Sequence, residues 1–316
     1  MLLEHLLFAL GVTAPIFVIL CVGIVLKRIG MIDNEFARMG SELVFKVTLP
    51  CMLFVKLVDT SLVDVPLALL SYAVLSTVLV FLVLDYGIAP RLLPADRGAF
   101  VQGAFRGNMG IIGLAYCLNA YGETIVPIAS LYLAVMTILF NILSVITLNR
   151  HAIATLVNGQ PAKWLVIKNI LSNPLIIAII TALSFSWFSI RVPATALEIM
   201  DYLGSMTLPL ALLCAGAGIR WREFHTSTTL YWAVFAKLLV VPAVMVGGAI
   251  LLGFRGEVLG LLYYMASAPT ASASYPMVRA LGGNHYLAVA VIATTSLGSV
   301  VAITAGGFLL RSLGLL

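Results

Sequence analysis

Apolar runs of about twenty residues recur along this chain from end to end, and that repetition limits what it can fold into. Segments of this length match the hydrocarbon thickness of a bilayer. There, every backbone N–H and C=O must be satisfied within the protein, which leaves helices and closed barrels. The runs are continuously apolar rather than alternating, so helices are expected and a barrel is not. Charge agrees: 10% of residues are charged, against roughly 25% in soluble domains. The formal net charge of +5 comes largely from basic residues in short loops, where lipid and topology account for them without nucleic acid.

Hydropathy read together with helix breakers gives ten spans, approximately 8–26, 41–58, 66–88, 98–119, 125–148, 164–187, 195–218, 229–252, 257–280 and 285–310. The connections are too short for a separate soluble domain. Lys27, Arg28, Arg38, Arg91, Arg97, Arg150, Lys163, Lys168, Arg220, Arg222 and Arg279 fall at one set of span ends, and Lys56, Arg191, Arg255 and Arg311 at the other. Basic loops stay in the cytoplasm, so both termini are expected on the opposite side. The N-terminus lacks a basic leader and a small-residue cleavage pattern and carries Glu4, so the first helix is expected to remain. Cys21, Cys51, Cys117 and Cys214 are scattered through apolar runs without CxxC spacing or clustered His partners. They read as small core residues, with no metal site and no cofactor.

The chain repeats itself. TAPIFVI (Thr13–Ile19) matches SNPLIIA (Ser172–Ala178), and VTLPCMLF (Val47–Phe54) matches MTLPLALL (Met206–Leu213) at the same offset. Pro15 thereby falls on Pro174 and Pro50 on Pro209. YAVL at Tyr72 matches WAVF at Trp232, and YLAV occurs at both Tyr132 and Tyr286. A duplication is expected, with residues 1–150 as the first five-helix repeat and 164–316 as the second. Because each repeat holds an odd number of helices, the second enters the membrane from the opposite side. That inverted arrangement is characteristic of secondary transporters.

The fourth span of each repeat is interrupted. SAPTASASYPMVRALGGN (Ser267–Asn284) places Pro269 and Pro276 at membrane depth, and FRGNMGIIGLAYCLNAYG (Phe105–Gly122) places Gly107, Gly110 and Gly113 there. Proline removes an amide donor, and glycine lets the backbone leave helical geometry. Unwound backbone in lipid must line a cavity or be buried in protein. Paired interruptions at corresponding positions mark a transport site; the alternative is a kinked helix with small residues for close packing.

Lys46, Arg106 and Lys237 lie well inside their spans with few acids at equal depth. Glu42 can meet Lys46 one turn away, and Asp85 lies near the cytoplasmic end of the third span. An excess of positive charge beside half-helix N-termini suits an anionic substrate. For Lys46 and Lys237 the alternative is snorkelling to the inner surface. The ninth span has no deep carboxylate, since Glu257 lies at its outer end, which argues against sodium coupling. The remaining acids, including Asp33 and Asp96, and the four histidines read as flanking the spans.

LVFKVTLPCMLF in the second span, RGNMGIIGLA in the fourth and the proline-broken ninth together resemble the auxin efflux carrier family. Its bacterial members include malonate and malate permeases, and its plant members are the PIN-formed auxin exporters. The resemblance covers the whole chain and implies a fold shared with bile-acid/sodium symporters. Spans 1, 2, 6 and 7 would form a scaffold. Spans 3–5 and 8–10 would form a moving transport domain, with spans 4 and 9 crossing at their breaks. It also implies an elevator-like motion and a homodimer. Asn108 matches the family's polar crossover residue, and Pro276 or Pro269 its crossover proline. The chain departs from the plant exporters in having glycines in place of the crossover proline of span 4. The sodium ligands of the bile-acid relatives have no clear match in span 9.

The resulting expectation is an all-α polytopic membrane protein of the bacterial inner membrane, a secondary transporter of a small organic anion, coupled to protons rather than sodium. Arg106 would attract the anion at the Gly110 and Pro276 breaks. Asn108, Thr270, Ser272, Ser274 and Tyr275 would bond it or line its cavity, and Lys46 and Lys237 would tune entry. A receptor that binds a carboxylate without moving it is the rival reading. An enzyme is disfavoured, because no catalytic constellation shares one membrane depth.

Overall fold

The computed structural model describes residues 2–58, 67–151, 172–218, 227–281 and 283–316. Over these residues the chain is helical, and its one β-type pairing joins Gly107 to Thr270. Among the described residues, six helical stretches are long and apolar enough to cross a membrane: Leu2–Arg28, Leu67–Arg91, Glu123–Arg150, Ala194–Ala217, Thr228–Leu251 and His285–Ser312. Large apolar side chains such as Leu75, Trp232 and Val301 lie on the outside. In water such a surface would aggregate, whereas in lipid it is matched to its solvent. The chain is an integral, polytopic helical membrane protein. Residues 164–171 of the sixth span lie outside the described residues, as do Lys163, Lys168, Arg220, Arg222 and His225.

The helices run in order as α1 (Leu2–Arg28), α2 (Asn34–Leu43), α3 (Leu49–Val58), α4 (Leu67–Leu82), α5 (Pro94–Phe105), α6 (Leu114–Tyr121) and α7 (Val126–Arg150). They continue as α8 (Pro174–Trp187), α9 (Ala194–Ser205), α10 (Thr207–Ala217), α11 (Thr228–Phe235), α12 (Val241–Leu251), α13 (Gly256–Ser267), α14 (Ser274–Ala280) and α15 (His285–Ser312). The second span begins earlier than the sequence reading placed it. Asp33, read as a loop acid, caps α2 by accepting from the Phe36 amide at 2.7 Å, which starts the helix at Asn34.

Among the described residues, besides the π-helical turn Met109–Gly113 at the α5 break, three wide π-helical turns interrupt these runs: Val44–Thr48, Val83–Ile88 and Ala236–Val240. Each ends two residues before a proline, namely Pro50, Pro90 and Pro242. Proline has no amide to donate, and its ring presses on the carbonyl four residues back, so the turn before it widens. Each widened turn carries one charge: Lys46, Asp85 or Lys237.

Packing is tightest where glycines let backbones touch. A Cβ on Gly216 of α10 would sit 2.1 Å from the Leu20 carbonyl oxygen of α1. Reciprocally, a Cβ on Gly23 would sit 2.3 Å from the Leu213 carbonyl oxygen. Small residues at such crossings are how apolar helices associate in lipid, where hydrophobic burial gives no preference. Lys27 closes the same crossing by donating to the Ala217 carbonyl at 2.6 Å, placing a cation on the C-terminus of α10. Elsewhere Phe81, Phe105 and Phe140 stack edge to face, tying α4, α5 and α7 together.

Candidate functional site

Both sequence interruptions are breaks in the helix, and they satisfy one another. α5 ends at Phe105, and helical geometry resumes at Met109. On the other side α13 ends at Ser267, and α14 begins at Ser274. Between them the Asn108 amide donates to the Pro269 carbonyl at 2.7 Å, and the Ala271 amide donates to the Arg106 carbonyl at 3.0 Å. This short antiparallel pairing supplies the partners that unwound backbone cannot find in lipid. Gly107 sits opposite Thr270 in the bridge. A Cβ there would lie 3.2 Å from the Lys237 ammonium and 3.3 Å from the Ala268 carbonyl oxygen, so the backbones pass closely here.

A cavity of about 520 Å³ opens beside this crossing. Its lining runs from Glu42 and Lys46 to Arg106, Asn108 and Gly110 on one break and Thr270, Ser272 and Tyr275 on the other. Leu49, Leu133, Phe140 and Ile292 make most of the remaining wall apolar. The helical stretch Met109–Tyr121 starts at the cavity, so the positive end of its dipole faces in.

Arg106 is the chemical centre. It is 8% exposed, at the C-terminal end of α5. Nη1 donates to Ser144 Oγ at 3.0 Å and to Met277 Sδ at 3.0 Å, and Nη2 donates to Asn141 Oδ1 at 2.9 Å. All three partners are neutral, and among the described residues the guanidinium makes no ion pair. Three of a guanidinium's five N–H groups are thus committed, and two are without a partner among the described residues. Asn141 and Ser144 were not singled out from the sequence. The signal was present: Thr137, Asn141 and Ser144 fall at i, i+4 and i+7 in a largely apolar span, on one helix face.

The other candidates divide. Asn108 borders the cavity, and its side-chain amide has no partner among the described residues. Ser272 is exposed to the cavity. Tyr275 lines it and accepts from Arg279 at 3.0 Å. The Thr270 hydroxyl donates to the Gly103 carbonyl at 2.6 Å while its amide donates to Thr295 Oγ1, so it fastens the crossing. Ser274 is buried and lies off the cavity, and its hydroxyl has no partner among the described residues. The backbone of Pro276 lies within α14. Lys46 is at the cavity's edge, its side chain 64% exposed and paired with Glu42 at 3.2 Å, as its spacing anticipates. Lys237 does not line this cavity and is buried on the far side of the crossing.

Two acids do more than flank the spans. Asp96 is buried and accepts from Thr229 at 3.0 Å and Asn284 at 2.8 Å, so one carboxylate joins the starts of α5, α11 and α15. Asp85 is fully buried and accepts from Thr147, Arg150 and His151 at 2.6, 2.7 and 2.9 Å. His151, at the end of α7, thus packs against this buried carboxylate.

A helical membrane protein with two mutually bridged helix breaks beside a mid-chain cavity has the form of a membrane carrier. The family of membrane transport proteins designated Mem_trans matches residues 8–305, and the chain belongs to it; this is the auxin efflux carrier family that its motifs resemble. It is 25% identical over 317 residues to the "Putative malonate transporter" of Rhizobium meliloti, covering 96% of each chain. It is 22% identical over 303 residues to an uncharacterized transporter of Methanocaldococcus jannaschii, covering 90% of this chain and 92% of the other. The family and both relatives are transporters rather than enzymes.

Proposed function

We propose that this protein is a secondary transporter of a small organic anion, a mono- or dicarboxylate such as malonate or malate or an auxin-like acid. The observation that carries this reading is Arg106: a buried guanidinium on the cavity wall with only neutral partners and two uncommitted N–H groups. A buried cation without a counter-charge is costly, and a carboxylate entering the cavity relieves that cost through charge-assisted hydrogen bonds. The Met109–Tyr121 dipole adds to the attraction, and Asn108 and Ser272 offer further hydrogen bonds. The name of the Rhizobium relative favours malonate as the first candidate.

In this reading residues 1–150 and 164–316 are inverted five-helix repeats, and spans 3–5 and 8–10 carry the site past a scaffold of spans 1, 2, 6 and 7. Alternating access is elevator-like, the scaffold forms a homodimer, and protons rather than sodium provide the coupling. The protein sits in the bacterial inner membrane with both termini on the non-cytoplasmic side.

Uptake of radiolabelled carboxylates into proteoliposomes, malonate and malate first, with and without a pH gradient, tests this. Gradient-driven accumulation is expected, lowered at least about tenfold in Arg106→Gln, the effect of losing roughly 1.4 kcal/mol of binding. Full transport and affinity in Arg106→Gln would remove the anion site from Arg106. Saturable binding with no flux under any gradient would make the protein a receptor.

A further inference from the structure

The charges around the cavity fall into two zones. Among the described residues its lining holds three cations, Arg38, Lys46 and Arg106, and one acid, Glu42. Arg38, Glu42 and Lys46 follow one another at intervals of four along α2 and the widened turn after it, so they share the helix face that borders the cavity. Each oxygen of the Glu42 carboxylate has its own partner. Arg38 Nη1 donates to Oε1 and Lys46 Nζ donates to Oε2, both at 3.2 Å. Arg38 also lies 3.7 Å from Glu35, which is outside the cavity. Two acids thus answer two bases on an exposed wall.

Arg106 differs in both respects, being buried and held by neutral partners. The other ionisable side chains on the lining, among the described residues, are Cys214 and Tyr275. α10 packs on α2 with Cys214 against Gly40, and it contains no charged residue. Each helix break supplies one C-terminus and one N-terminus, whose opposite poles largely cancel. The cavity therefore offers a substrate one unanswered positive charge. One carboxylate on Arg106 balances it. A second carboxylate on the same molecule would meet apolar wall, which does not solvate it, or would have to compete with Glu42 for Lys46.

We propose that Glu42 sets the charge of the substrate. By neutralising Arg38 and Lys46 it leaves Arg106 as the one cation a ligand can answer, so the carrier takes carboxylates as monoanions. A dicarboxylate binds in its hydrogen form, with one proton taken from the medium at entry and returned to it at exit. This rests on the anion-carrier reading. Selectivity here is a difference of two affinities, set by the cation withheld as much as by the one offered.

The test is uptake by proteoliposomes of radiolabelled malonate and malonamate, which has the same skeleton with one carboxylate replaced by a neutral amide. At low ionic strength and a pH where free malonate is a dianion, wild type should half-saturate with malonamate at a concentration lower by about threefold or more. As pH falls through the second ionisation of malonate, the malonate value should approach that of malonamate, which itself stays level. Glu42→Gln frees Lys46 and should swing the dianion ratio toward malonate by about threefold or more. That swing should shrink at physiological salt, where the screening length is about 8 Å. Adding Lys46→Gln to Glu42→Gln should return the ratio to the wild-type value. A wild type that prefers the malonate dianion, a ratio unmoved by Glu42→Gln, or a swing that survives in the double variant would each overturn the proposal and leave the transporter reading intact. Should Glu42→Gln not fold, the wild-type ratio and its course with pH still decide. Absence of both flux and saturable binding for every carboxylate would overturn the two readings together.

Discussion

At the scale of single residues, the role of Arg106 is set by what its hydrogen bonds leave over. Asn141 and Ser144 orient the guanidinium without neutralising it. Asn141→Asp keeps the side-chain shape but adds a carboxylate within bonding distance, which would occupy the arginine in place of substrate. Transport should fall at least about tenfold, while the unfolding midpoint holds or rises, because a buried cation has gained a partner. Asn141→Leu should weaken substrate affinity less. A reversed order in uptake assays would show that the amide, rather than the uncompensated charge, is what matters. Asp96 has the opposite character. Asp96→Ala strands the Thr229 hydroxyl and the Asn284 amide, at a cost of about 1–3 kcal/mol for each buried group left unpaired. It should lower the unfolding midpoint without altering substrate preference.

At the scale of elements, each break or widening has a local cause. Prolines 50, 90 and 242 widen the turns that precede them, and Gly107 and Pro269 sit where α5 and α13 have ended. The α1–α10 crossing depends instead on the absence of side chains. Gly216→Leu places a Cβ 2.1 Å from the Leu20 carbonyl oxygen, so the helices must separate. Overpacking of this kind costs about 1–3 kcal/mol and should appear as a lower unfolding midpoint in detergent. Gly247 in α12 is the control, since a Cβ there meets nothing within 4 Å. Gly247→Ala should be neutral or stabilising by up to about 1 kcal/mol, the difference in helix propensity. Equal losses at the two positions would refute the packing argument. The interruptions were legible in the sequence because proline and glycine act on their own backbone. The Asn108–Pro269 and Ala271–Arg106 pairing was not, because it joins residues far apart in the chain.

At the scale of the whole molecule, the proposed elevator requires α15 to slide against α1. The hydroxyls of Thr13 and Thr304 meet at 2.7 Å across that contact. In a protein with its four native cysteines replaced by alanine, the pair Thr13→Cys and Thr304→Cys should abolish uptake when oxidised and restore it on reduction. Full flux in the oxidised protein would mean that these helices move together and that the division between scaffold and carrier lies elsewhere.

By itself the sequence determined the class of the protein, the course of most of its spans and the positions of both breaks. Span length, proline and glycine act locally, and lipid punishes any backbone left unpaired. What only the tertiary structure decided was the fate of three cations that look alike in one dimension. Lys46 is exposed and answered by Glu42; Arg106 lines the cavity with neutral partners; Lys237 is buried and donates to the Ala266 carbonyl. The energy of a charge depends on the dielectric and the dipoles around it. Those are supplied by helices distant in sequence, and only the packed fold brings them together.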